Sequence, residues 1–301
     1  MQMLHVLTHN ILPVFSMLAL GFVLGRTRKV SRTEAAALNR VAFLVLQPAL
    51  IFPLIARVDF HAFDLSALAA YATCQVIAFS LSYGIARHVF GREHLEAWLL
   101  AMCVIFVNSL LYIWPISLLI YGAGGNLPIT AIVAWDASVS FAFFIITTDV
   151  MAGDSNARAA VKRVLTNPVL IAIALGTVMN LAALPVPEPV LTAARFAGAG
   201  AAPLTLFALG VILSGHALKP SPTILGISGL KLLLFPALVW AALHVAPPPA
   251  DWNALFVLNA AGPSGAMAFA LAMLHGIRTD AIAPVIIWTS TLSLISLAWL
   301  A

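Results

Sequence analysis

The sequence predicts an all-α polytopic membrane protein whose ten transmembrane helices form two inverted five-helix repeats. Three observations predict it. Of 301 residues, 62% are hydrophobic and 9% charged, with mean hydropathy +1.03, whereas a soluble domain carries about 25% charge. Windows such as Leu65–Ala86, Ala97–Trp135 and Ala281–Ala301 hold no Asp, Glu, Lys or Arg and reach the roughly 20 residues that a crossing helix needs. Two of the apolar windows are interrupted at matching places, Val107-Asn-Ser-Leu-Leu-Tyr-Ile-Trp-Pro115 and Leu258-Asn-Ala-Ala-Gly-Pro-Ser-Gly265. Lipid offers no water to a broken backbone, so such segments line a cavity within protein. Paired interruptions in two halves point to a transporter's substrate site.

The elements follow in order. Span one, at about 7–25, is not a signal peptide: no basic region precedes it, and Arg26-Thr-Arg-Lys29 follows it as a membrane anchor requires. Spans two and three cover about 37–56 and 65–88, with Pro53 near a boundary, where a missing N–H costs little. Span four (97–121) carries the first interruption, and span five (129–150) starts after Pro128. Residues 1–150 thus form the first repeat. Residues 151–165 are a basic linker, and the second repeat (166–301) holds spans 166–184, 191–215, 221–245, 252–275 and 280–300. Pro185, Pro187, Pro189 and Pro247-Pro-Pro249 mark its boundaries. Trp98, Trp252 and Trp299 read as interfacial anchors.

Lys and Arg set the orientation. Loops after odd-numbered spans hold Arg26, Arg28, Lys29, Arg32, Arg87, Arg92, Arg158, Lys162, Arg163, Lys219 and Arg278, whereas the outer side holds Arg57 and Arg195. The positive-inside bias puts both termini outside and the 151–165 linker in the cytoplasm. The net charge of +4 is explained by these loops, so no nucleic-acid partner is implied. Cys74 and Cys103 lie inside spans and imply no disulfide framework.

The halves echo each other at an offset near 155 residues. Gln47-Pro-Ala-Leu-Ile-Phe52 faces Ala202-Pro-Leu-Thr-Leu-Phe207, Tyr121-Gly122 faces His275-Gly276, and Asn108-Ser109 falls opposite Gly262-Pro263. Five spans is an odd number, so the second repeat enters the membrane upside down, a symmetry that yields two exchangeable conformations.

Taken together, several segments resemble the auxin efflux carrier family, which includes plant PIN proteins and bacterial carriers often described as malonate transporters. The resemblance rests on Ile11-Leu-Pro-Val-Phe and Gly21 to Arg26 in span one, and on Thr166-Asn-Pro-Val-Leu170 in span six. Gly229-Leu-Lys-Leu-Leu-Leu-Phe-Pro236, the Pro263 segment and Trp288-Thr-Ser-Thr-Leu-Ser293 add to it. The resemblance implies crossing broken helices four and nine, as in sodium–proton antiporters and bile-acid transporters. It also implies a scaffold of spans 1, 2, 6 and 7, through which a homodimer forms, and an elevator-like core of spans 3–5 and 8–10. The substrate it implies is a small organic anion, malonate or a similar mono- or dicarboxylate, moved across the inner (plasma) membrane. The chain departs from the family in two places. Tyr112, Ile113 and Trp114 stand where small residues are usual, and Thr73-Cys74-Gln75 offers no acid in span three.

The interruptions supply the candidate substrate-binding residues. Asn108 and Asn259 are carboxamides that can donate to a carboxylate or accept from a freed backbone N–H; direct contact and local capping both stand as readings. Pro115 and Pro263 remove hydrogen bonds and are candidate helix breaks, with half-helix N-termini pointing positive ends at an anion. Gly262 flanks Pro263. Ser109 and Ser264 are donors beside the breaks, although serine often bonds back to its own helix.

Lys231 lies near the midplane of span eight, where a charge costs about 2.5–3.5 kcal/mol and needs a partner. Asp136, eight residues into span five, reaches a similar depth and is the candidate coupling residue. The two pair, or Lys231 meets substrate, or Lys231 bonds the carbonyls of a broken helix. Gln47 and Gln75 read as interhelical glue.

No cofactor is implied. No metal is implied either, because no two of the eight histidines share a predicted span at ligand spacing. There is no phosphate-binding Gly-x-x-x-x-Gly-Lys-Ser/Thr loop, so transport is secondary, coupled to H+, Na+ or the membrane potential. Gly262-Pro-Ser-Gly265 also matches the Gly-x-Ser-Gly of intramembrane serine proteases, but His275 lies about 16 Å along the helix, out of reach as a base. An enzyme is therefore not expected. A channel or membrane sensor is the remaining class, without a ring of acids or a signalling domain to favour it.

Overall fold

A computed structural model describes residues 2–122, 124–153, 157–245 and 247–301. Among these the chain is nearly all helical, with no strand beyond one isolated bridge. Seven helices are long and apolar enough to cross a membrane: α1 (Met3–Arg26), α2 (Arg32–Ala56), α3 (Leu65–Val89), α6 (Leu127–Met151), α9 (Glu188–Leu213), α10 (Pro222–Val245) and α13 (Ile282–Leu300). An eighth is counted if α7 (Ala157–Leu165) and α8 (Pro168–Leu181), bent by 62°, form one span. Shorter apolar helices complete the chain: α4 (His94–Ile105), α5 (Ser109–Tyr121), α11 (Ala250–Ala260) and α12 (Met267–Leu274).

Local chemistry explains where several helices begin. The expected start of span two at residue 37 moves to Arg32 because Ser31 and Glu34 form a capping box. The Ser31 hydroxyl accepts from the Glu34 N–H at 3.2 Å, and the Glu34 carboxylate accepts from the Ser31 N–H at 2.8 Å. Asp64 caps α3 by accepting from the N–H groups of Ser66 and Ala67, each at 3.0 Å. Asn167 and Pro168 open α8 in the same way, with Val169 and Leu170 donating to the Asn167 side chain. The expected linker at 151–165 contains the basic helix α7, and Arg163 of that helix binds the buried Asp149 at 2.5 Å.

Two sequence-based readings need correction. α1 begins at Met3, not at residue 7, and so carries His5 and His9 four residues apart on one helix. Trp252 is buried and packs at a tilt of 45° against Phe256 with ring centroids 5.5 Å apart, so it is not an interfacial anchor. An aromatic next to a helix start reads as an anchor in sequence; here packing claims it.

The chain divides into two compact units. One comprises residues 14–63 and 133–215. Its helices touch through small residues, which let backbones approach closely. A side chain at Gly21 would lie 2.0 Å from the Phe207 carbonyl oxygen, and one at Gly210 2.1 Å from the Leu18 carbonyl oxygen. α8 is tied to the end of α2 by the Asn180 side chain, which donates to the carbonyls of Ile55 (3.1 Å) and Val58 (2.7 Å). Gln47 donates to Thr205 at 3.3 Å, the interhelical link read from its sequence. Asp136 is buried in a π-helical turn, Asp136–Ser140, and accepts from Ser140 at 3.3 Å.

The other unit comprises residues 1–13, 64–132 and 216–301. Tyr71 of α3 sits at its centre, fully buried, against the rings of Phe235 in α10 and Phe256 in α11. All four short helices belong to this unit, and both interruptions with them.

Candidate substrate site

The two interruptions are bonded to each other. α4 stops at Ile105 and α5 starts at Ser109, while α11 stops at Ala260 and α12 starts at Met267. Between them Val107 and Ser264 form an antiparallel bridge. The Asn108 N–H donates to the Pro263 carbonyl at 3.0 Å, and the Gly265 N–H donates to the Phe106 carbonyl at 2.8 Å. Gly265 is required by this approach: a Cβ there would stand 2.9 Å from the Phe106 ring and 3.2 Å from its carbonyl oxygen.

Breaking two helices frees carbonyls at α4 and α11 and N–H groups at α5 and α12. In a membrane each must find a partner. Neighbouring side chains supply donors to the carbonyl ends. The Ser264 hydroxyl donates to Cys103 (2.7 Å), Gln75 of α3 to Ile105 (3.4 Å), Lys231 of α10 to Ala260 (2.6 Å) and Ser296 of α13 to Ala261 (3.2 Å). Thr289 of α13 accepts from the Ser264 N–H at 3.2 Å.

The N-terminal ends differ. Neither N-cap residue, Asn108 for α5 or Ala266 for α12, closes its helix with a side chain. The negative poles of the half-helices are therefore met by donors, one of them a full positive charge, while the positive poles at the break carry no side-chain cap.

The predicted residues distribute as follows. Ser264 and Ser109 are buried beside the breaks, and Ser264 bonds across to α4 instead of to its own helix. Lys231 is fully buried in a π-helical turn, Leu230–Leu234, with its ammonium 5.1 Å from the Phe235 ring centroid as well as on the Ala260 carbonyl. The Ala260 contact is one of the bonds read for Lys231 from its sequence position, a bond to the carbonyl of a broken helix. Asn259 is fully buried in the last turn of α11, and its amide donates to the Tyr71 hydroxyl at 3.0 Å while the side-chain oxygen has no hydrogen-bond partner among the described residues. Asn108 lies within the first interruption and is half-buried. Gly262 packs on Ile113, whose side chain would be 2.5 Å from an added Cβ. Pro263 contributes the carbonyl that Asn108 binds. Pro115 does not make the break: it lies inside α5, and the interruption falls at Phe106–Asn108. The π-helical turn Ser109–Ile113 just before it shifts the bonding register, and a proline near a helix start costs little. Asp136 belongs to the other compact unit.

Tyr71, Thr289 and Ser296 also serve the breaks; of these only Thr289 lies in a segment that the sequence singles out, and none reads there as a site residue. A serine or threonine in an apolar helix usually bonds its own backbone, and its second partner is set by a neighbouring helix.

Comparisons with known proteins identify the family. A family model described as a membrane transport protein matches residues 6–152 and 155–300. A protein of Methanothermobacter thermautotrophicus, named "Uncharacterized transporter", is 27% identical over 299 residues, covering 96% of each chain. A Rhizobium meliloti protein named "Putative malonate transporter" is 26% identical over 301 residues, covering 95% of this chain and 92% of its own. The chain belongs to this membrane transport family, the auxin efflux carriers.

Proposed function

We propose that the protein is a secondary carrier that moves a small organic anion, malonate or a similar mono- or dicarboxylate, across the inner membrane. One observation carries the reading: at the paired breaks the carbonyl ends are closed by Ser264, Gln75, Lys231 and Ser296, whereas the N-terminal ends of α5 and α12 are not closed by their cap residues. Helix N-termini, with their backbone N–H groups and positive poles, suit a carboxylate. Asn108, Ser109, Asn259, Gly262, Pro263 and Ser264 surround that point, with Lys231 at its edge. The relative named for malonate supports the substrate class.

In this reading the two broken segments complete ten spans, arranged as inverted repeats 1–150 and 166–301, with both termini outside. Spans 1, 2, 6 and 7 form the scaffold and the homodimer contact, and spans 3–5 and 8–10 move as an elevator. The compact unit that holds both breaks also holds α3, α10 and α13, which supports a core that travels with its substrate, whereas residues 133–151 of span five fall in the other unit. Asp136 is the residue for proton or sodium coupling.

One contact weighs against the protease reading. The Ser264 hydroxyl donates its hydrogen bond to the Cys103 carbonyl, which cannot act as a general base. Proteoliposome exchange against a panel of carboxylates, with pH and sodium gradients imposed separately, tests the carrier. Saturable, trans-stimulated exchange of malonate or a close analogue is the expected result. Flux that rises linearly with concentration would identify a channel instead.

A further inference from the structure

The first two turns of α1 carry a feature that the carrier reading does not use. His5 and His9 are both exposed, and their rings stack with centroids 4.1 Å apart and planes 21° from parallel. Residues four apart share one face of a helix. The tautomer of His9 follows from its neighbours. Its Nδ1 lies 3.2 Å from the His5 carbonyl oxygen, which can only accept, so Nδ1 carries the proton. Thr8 agrees: its hydroxyl donates its one proton to the Leu4 carbonyl at 2.8 Å, and therefore accepts from His9 Nδ1, also at 2.8 Å. With Nδ1 protonated, Nε2 of His9 presents a lone pair.

This is the arrangement of a metal-ligating histidine, whose second ring nitrogen donates to a carbonyl that sets tautomer and orientation. Imidazole suits zinc, copper and nickel. Two nitrogens about 2.05 Å from a tetrahedral ion lie roughly 3.3 Å apart; the stacked rings aim their in-plane lone pairs side by side, so the His5 ring must turn to bring its lone pair onto the ion held by His9. Side-chain rotation at an exposed helix start supplies that movement.

We propose that His5 and His9 form a two-histidine binding site for a divalent transition-metal ion at the N-terminal end of α1, with water completing the coordination. Asn10, one residue on, donates to the Leu119 carbonyl of α5 at 2.9 Å. An ion held by the pair therefore braces the helix start that grips the broken segment.

The test is calorimetric titration of Ni2+ or Zn2+ into the purified, tag-free full chain. Saturable binding of one ion per chain is expected, at least about tenfold weaker in His5→Asn and in His9→Asn. His61→Asn, on a separate turn, retains the wild-type affinity. Thr8→Val keeps both imidazoles and one of the two acceptors for Nδ1, so it weakens binding by roughly tenfold or less. Thermal midpoints of the metal-free variants match the wild type, because both rings are exposed. Absence of saturable binding to the wild-type chain, or binding that survives both histidine substitutions, overturns the proposal.

Discussion

The ammonium of Lys231 lies 2.6 Å from the carbonyl oxygen of Ala260, the last residue of α11. A buried charge thus answers the negative pole of an interrupted helix. Lys231→Met keeps the side-chain volume and leaves that carbonyl without its charged donor. A hydrogen bond to a charged group contributes about 1.5–3 kcal/mol, so the thermal midpoint of the purified protein falls and exchange is lost. Lys231→Arg, whose planar fork cannot reproduce a point contact, restores neither.

The bridge sets a contrast between two glycines. At Gly265 an added Cβ meets the Phe106 ring at 2.9 Å and the Phe106 and Val107 carbonyl oxygens at 3.2 and 3.3 Å. At Gly262 the nearest atoms are the Ile113 side-chain tip at 2.5 Å and the Asn259 carbonyl oxygen at 3.0 Å. Overpacking costs about 1–3 kcal/mol. Gly265→Ala therefore loses exchange at normal expression, and Ile113→Ala does not rescue it. Gly262→Ala is milder, and Ile113→Ala recovers it; a double-mutant cycle measures both.

Ser264→Ala deletes the donor to Cys103 without removing a catalytic group. The prediction is a loss of about 1 kcal/mol in stability and no covalent labelling of either protein by a serine-directed fluorophosphonate. Labelling of the wild type that Ser264→Ala abolishes would restore the protease reading.

Asp64, outside the apolar part of α3, is held below the usual carboxylate range. The Ser66 hydroxyl is the largest cause and the Ala67 N–H the next. A depressed folded-state value means that its contribution is present above the unfolded value, about 3.9, and is lost as pH falls through the lower folded value. Asp64→Asn keeps a cap and removes this acid dependence, whereas Asp64→Ala costs about 1 kcal/mol at neutral pH. Thermal midpoints between pH 3 and pH 7 separate the three proteins.

Much of this was legible in the residues. The charge-free windows marked the spans, and Asn-Ser at 108–109 with Gly-Pro-Ser-Gly at 262–265 marked where two of them stop. Lys231 announced a partner because an apolar helix cannot leave a charge unanswered. What stayed hidden depends on neighbours. Pro115 looked like a breaker, yet a π-helical turn absorbs it. Tyr71, Thr289 and Ser296 carry no periodic signal, because a hydroxyl acquires its second partner only when another helix arrives. The early start of α1 escaped because the polar Thr8-His-Asn10 run lowers hydropathy without breaking the helix, and so the His5–His9 pair escaped as well.

The central claim is that the joined interruptions bind a carboxylate at the open helix ends. Asn108 is half-buried there, so Asn108→Cys in a Cys74→Ser, Cys103→Ser background reports on occupancy. The decisive measurement is its rate of modification by a small water-soluble thiol reagent, with and without a carboxylate that the protein exchanges, malonate first. The account predicts that saturating substrate slows the reaction severalfold at the concentration that half-saturates exchange. An unchanged rate, with that same carboxylate still exchanged by the variant, would contradict it.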